Sequence, residues 1–122
     1  IGYLSSTYIN ESIQAAAIEN LSGEFLLPTV ESGSIALKNL DIQNKLIKIH
    51  PNPKEKGAYP ISTLTWIWVY KSGYGDKLNN IKTTLNFLVS EEANKKALNM
   101  GFIPLNEKLQ DHAMMSIKEI GI

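Results

Sequence analysis

The sequence predicts an α/β chain. Three observations carry that expectation. Residues 1–60 mix short strand-like runs with one helical run. Tyr59 to Lys71 is rich in β-branched and aromatic residues, the types enriched in strands. Residues 72–122 read as helix, helix, loop, helix. The chain has 122 residues, 43% of them hydrophobic and 20% charged. That is one domain's worth of sequence, able to bury a sizeable core, and not the composition of a disordered chain.

Ile1 to Leu4 is short and apolar and suits the end of a buried strand. Ser5, Ser6 and Thr7 are turn or cap residues, and Thr7 to Glu11 reads as a helical turn. Ile13 to Glu19 is ambiguous. Gln14-Ala15-Ala16-Ala17 favours helix, yet a turn signal follows at Asn20-Leu21-Ser22-Gly23, and Glu24 to Leu27 looks extended. Pro28-Thr29 opens a helix whose apolar side is Val30, Ile35, Ala36, Leu37 and Leu40. Leu46 to Ile49 has the residue types of a short strand, and His50-Pro51-Asn52-Pro53 must be non-helical. Lys54 to Ala58 reads as an exposed loop.

Trp66 to Tyr70 is apolar without a break, as expected of a central strand covered on both faces. Ser72-Gly73-Tyr74-Gly75 is a turn, and Asp76 is an N-cap candidate. Leu78, Ile81, Leu85 and Leu88 recur at helical spacing. Ser90 caps a second helix, with Glu91 and Glu92 where the helix dipole favours acids and Gly101 where its end favours a left-handed residue. Phe102 to Leu105 is an apolar loop that must tuck into other structure. Asn106 caps a last helix with Leu109, Ala113, Ile117 and Ile120 inward.

Twelve basic residues, all lysine, balance twelve acids. A zero net charge speaks against a nucleic-acid binder or a polybasic membrane-surface protein. Without Cys there is no disulfide framework, thiolate metal site or cysteine nucleophile. Without Arg there is no bidentate guanidinium grip on an oxyanion. The chain starts at Ile1 on an apparent strand, with no signal-peptide pattern and no membrane-length apolar run. The expectation is a piece of a longer protein, cut inside a fold.

Enzyme signals are poor. Gly73-Tyr74-Gly75 is an incomplete dinucleotide fingerprint and reads as a turn into a helix. His50 and His112 lie in different halves; Glu107 and Asp111 share a helical face beside His112, which the ordinary charge patterning of a solvated terminal helix explains better than a metal site. Ser32-Gly33-Ser34 at a helix start has the residue types of an anion cradle, but Glu31 opposes an anion there. Trp66, Trp68 and Tyr70 alternate with Ile67 and Val69, which favours core packing over ligand stacking. No metal or catalytic group is assigned. The sequons at Asn10 and Asn20 carry no weight.

The order of segments carries a resemblance. It runs through Ile1-Gly2-Tyr3, then Asn20-x-x-Gly23-x-Phe25 into Pro28-Thr29, then Tyr59-Pro60-Ile61-Ser62 into Thr65-Trp66-Ile67. Gly101-Phe102-Ile103-Pro104-Leu105 before a last helix completes it. This resembles the C-terminal part of the phosphate-specific substrate-binding proteins of bacterial ABC transporters, over nearly the whole chain. The two most specific stretches are Tyr-Pro-Ile-Ser…Thr-Trp and Gly-Phe-Ile-Pro-Leu.

The resemblance implies a fragment of a two-lobe periplasmic-binding-protein (type II) fold. Residues 1–60 would be part of the second lobe; residues 61–122 would supply a hinge-crossing strand and the C-terminal helices of the first lobe. It also turns Ile13 to Glu19 into a strand and hairpin, against local propensity. The implied function is capture of inorganic phosphate and delivery to an ABC permease in the membrane. That role is not enzymatic, needs no cofactor and involves no nucleic acid. The place is periplasmic or extracytoplasmic, free or anchored through sequence upstream. The family's anion clamp uses an Arg, an Asp, hydroxyls and backbone N–H groups in its earlier portion. No ligand residue therefore transfers to this chain, and Tyr59 and Pro60 are its hinge candidates. The competing expectations are a binder of another oxyanion, sulfate or molybdate, and a small hydrolase using a serine with His50 or His112.

Overall fold

A computed structural model describes residues 2–38, 40–43 and 46–122. Among these residues the chain is a mixed helix/sheet structure, with four α-helices and two small antiparallel sheets. It divides into two compact units, one of residues 1–64 with 98–103 and one of 65–97 with 104–122.

The first unit opens on a 3-10 turn at Ser6–Tyr8, with the Ser5 side chain accepting from the Thr7 N–H. Gly2, Tyr3 and Leu4 form no strand and are exposed, which corrects the expected buried strand end; Ile1 lies outside the described residues. Strands β1 (Ile18–Glu19) and β2 (Phe25–Leu26) pair antiparallel, Ile18 opposite Leu26 and Glu19 opposite Phe25. Gly23 at φ 78 makes the reversal possible, since a side chain there meets its own backbone. The alanines before β1 take no helix. Their propensity is a weak preference, and the hairpin's cross-strand bonds outweigh it.

Helix α1 (Val30–Lys38) starts where Pro28-Thr29 predicts. Thr29 Oγ1 accepts from the Ser32 N–H at 3.1 Å, and Ser32 Oγ accepts from the Thr29 N–H at 3.1 Å. This reciprocal cap satisfies two donors that a helix start otherwise leaves open. Strands β3 (Asp41–Gln43) and β4 (Leu46–Lys48) form the second hairpin, with Ile42 opposite Ile47. Buried Leu37, Leu40 and Ala58 form the apolar centre of this unit. Ile103 packs on the face of α1 that Gly33 leaves bare: a Cβ there would lie 3.2 Å from Ile103 Cγ1 and closer still to Cδ1.

The segment expected as a central strand is not one. Residues 62–70 carry no regular secondary structure, and Trp68 and Tyr70 are 91% and 82% exposed. The composition of Thr65 to Tyr70 reports the surroundings these side chains prefer. A strand also needs a neighbour with free backbone groups, and neither two-stranded sheet includes this segment.

The second unit is helical. A 3-10 turn at Gly75–Lys77 leads into α2 (Leu78–Leu88), so Asp76 lies within that turn and is not the cap expected of it. Helix α3 (Glu91–Asn99) is capped by Ser90 Oγ, which accepts from the Ala93 N–H at 3.2 Å. Glu91–Lys95 and Glu92–Lys96 pair along its exposed face at 2.9 and 2.8 Å. Helix α4 (Glu107–Lys118) is capped by Asn106 Oδ1, which accepts from the Leu109 N–H at 3.0 Å. Leu109, Ile117 and Ile120 are buried and Ala113 half-buried, the face the spacing predicts. Asn94 accepts from the Leu105 N–H at 3.3 Å, and Gln110 Nε2 donates to the Val89 carbonyl at 2.6 Å. Among the described residues no helix is long and apolar enough to cross a membrane.

Candidate functional site

The two hinge candidates, Tyr59 and Pro60, directly follow a loop that is hydrogen-bonded to the β1–β2 turn. The β1–β2 turn is built around Asn20, which is 5% exposed. Its Oδ1 accepts from the N–H groups of Ser22 and Glu24 at 2.9 and 3.0 Å. Its Nδ2 donates to Glu24 Oε2 at 3.1 Å and to the carbonyl of Ala58 at 3.3 Å. One amide thus closes the turn and ties it to a loop 38 residues later.

Three more bonds fix the same loop. The Gly57 N–H donates to Glu24 Oε2 at 2.7 Å, and Ser22 Oγ donates to the Lys54 carbonyl at 2.9 Å. Asn52 Oδ1 accepts from the Leu21 N–H at 3.2 Å. Of the loop expected to be exposed from Lys54 to Ala58, Lys54 and Lys56 are exposed, while Ala58 is buried, as is Pro53 just before it.

Glu24 is the charged group in this arrangement. The Gly57 N–H holds its carboxyl below the usual carboxylate range, helped by the Asn20 amide and by Lys56. A lowered folded value gives stability that is present above the unfolded value and lost as pH falls through the folded one. Glu24→Gln is expected to melt below the wild type at pH 7, with the gap closing under about pH 4. Thermal melts across pH 3–7 check this; a gap independent of pH contradicts it.

Tyr59 and Pro60 follow directly. Tyr59 is half-buried and Pro60 buried. The Tyr59 N–H donates to the Ser32 carbonyl at 3.0 Å, and burial pushes its phenol pKa up. Ser62 Oγ donates to the Tyr59 carbonyl at 3.0 Å, and the Ile61 N–H donates to the Pro51 carbonyl at 2.6 Å. Ile61 itself has φ 63, a left-handed backbone on a β-branched residue. Sequence reasoning missed Ile61. The only available signal is its place after Pro60, since a proline-led turn often needs a left-handed residue next.

The other candidates disperse. Ser32 is buried, and its hydroxyl donates to the Leu27 carbonyl at 2.8 Å, so it serves the helix cap. His50 belongs to the first unit and His112 to the second. Among the described residues no three His, Asp or Glu side chains gather where they could share a cation. Gly73 and Gly75 have positive φ and form a turn into α2, with no strand before it. The Asn20 sequon has its amide nitrogen committed to two acceptors. No family model matches this chain, and no curated protein matches it significantly.

Proposed function

We propose that this chain is the C-terminal part of a phosphate-specific substrate-binding protein that delivers inorganic phosphate to an ABC permease. The role is binding and transport outside the cytoplasm, without catalysis. The observation that supports the reading best is the Ile18–Leu26 hairpin. The turn signal at Asn20 to Gly23 and the resemblance both call for a hairpin, against the helix propensity of Gln14 to Ala17; of the strand expected over Ile13 to Glu19, Ile18–Glu19 forms.

On this reading the anion clamp lies upstream. A chain without Arg holds no bidentate oxyanion ligand, and Ser32 is committed to a cap. Residues 1–60 supply packing of the second lobe, and the chain from residue 61 returns toward the first. Tyr59 is bonded to α1 and Pro60 has a fixed φ, so together they set where the returning segment begins.

In the longer protein, Pro60→Gly is expected to weaken phosphate binding about fivefold or more without touching phosphate. An unchanged affinity at normal thermal stability contradicts the hinge role. Calorimetric titration of the longer protein with phosphate and with sulfate tests the function itself. Phosphate bound with sulfate refused is the expected outcome. An Asp acceptor in the clamp welcomes a protonated oxyanion and is left unpaired by sulfate. Sulfate or molybdate bound in preference overturns the reading.

A further inference from the structure

We propose that the Tyr59–Ser62 turn is a two-position switch whose moving part is the backbone of Ile61. Among the described residues Ile61 alone, glycines aside, has a positive φ. A β-branched side chain opposes that conformation, and such strain persists only where surrounding bonds impose it. The Ile61 side chain contributes little, being 70% exposed.

Backbone bonds impose it instead. The Ile61 N–H reaches the Pro51 carbonyl at 2.6 Å, while Tyr59 stays fixed to the Ser32 carbonyl at 3.0 Å. In an ordinary turn of this kind the first carbonyl accepts from the fourth N–H. The Tyr59 carbonyl also accepts from the Ser62 hydroxyl at 3.0 Å, a group that rotates freely and can follow a moving chain.

The strain of one residue is therefore set against one exchangeable hydrogen bond. Releasing the Ile61–Pro51 bond lets φ of Ile61 turn negative and relieves the strain, and the Ile61 side chain, already exposed, gives up little contact. Pro60 cannot change φ, so the rearrangement concentrates at Ile61. The chain from Ser62 onward then leaves in a new direction. Two nearly balanced arrangements of a few residues are what a conformational switch requires. The use of this switch in lobe closure rests on the phosphate-binding reading, whereas the switch itself does not.

Relaxation dispersion of backbone nitrogens in this chain tests it, with Ile61→Gly and Ile61→Val beside the wild type. The wild type is expected to show exchange at Ile61 and Ser62 with a minor state of about 0.1–10%. Glycine is at ease in the left-handed state and is expected to cut that population about tenfold. Valine, equally β-branched, should keep it. Flat profiles in the wild type, or undiminished exchange in Ile61→Gly, overturn the switch. A parallel phosphate titration of the longer protein separates the two ideas. Exchange at Ile61 with no phosphate binding sustains the switch and removes its use in phosphate capture. Flat profiles with tight phosphate binding remove the switch and leave the function standing.

Discussion

Asn20→Asp is expected to lower the stability of the first unit by about 3 kcal/mol. The asparagine amide is buried, and its two donated bonds go to the Glu24 carboxylate and to the Ala58 carbonyl. Aspartate keeps the two accepted bonds from Ser22 and Glu24 and loses both donated ones. The Ala58 carbonyl loses the Asn20 amide as a donor inside a residue that is 0% exposed. A carboxylate also comes to face the Glu24 carboxylate where an amide stood, and like charges at that range repel. Asn20→Ala removes all four side-chain bonds without bringing a charge toward Glu24 and should cost about 2 kcal/mol. Urea unfolding measures both, as a fall in midpoint at constant slope. A loss under about 0.5 kcal/mol for the aspartate contradicts the bonding described for this turn.

Ile117→Ala is expected to cost the second unit about 2 kcal/mol. Ile117 lies on the buried face of α4, two turns from Leu109 and next to Ile120, all of them 7% exposed or less. The helices around it are only half-buried, so they can move into part of the vacated space. That places the cost at the low end of the range for such truncations. Met115 on the same helix is 58% exposed, and Met115→Ala should change stability by no more than about 0.5 kcal/mol. Denaturant melts followed by helical circular dichroism distinguish the two. Equal effects at Ile117 and Met115 contradict the placement of the α4 face.

The helical half was legible because its signals are local. Leu109, Ala113 and Ile117 repeat at helical spacing, and Ser90 and Asn106 stand just ahead of their helices, as caps must. Thr29 announced α1 in the same way. Asp76 misled because a 3-10 turn took up the residues between it and α2, and a cap's meaning depends on where the first full turn forms.

The strand-like run at Thr65 to Tyr70 shows the opposite limit. Its residue types are right for a sheet, but pairing depends on a neighbour the local sequence does not specify. Asp41-Ile42-Gln43 carries too weak a strand signal to be read by itself, yet it pairs with β4. The site was legible only in part. Tyr59 and Pro60 stood out through proline chemistry and the resemblance. Asn20 read as an ordinary turn residue, and its burial goes with a bond to a loop 38 residues away. The left-handed backbone of Ile61 left no mark beyond the preceding proline.

The proposed function makes this chain part of a phosphate carrier whose anion grip lies outside these 122 residues. Calorimetric titration with phosphate of the longer protein and of the 122-residue chain, side by side, tests it most directly. Saturable one-to-one binding by the longer protein and no binding heat from the chain alone are expected. Stoichiometric, tight phosphate binding by the 122 residues on their own would contradict it.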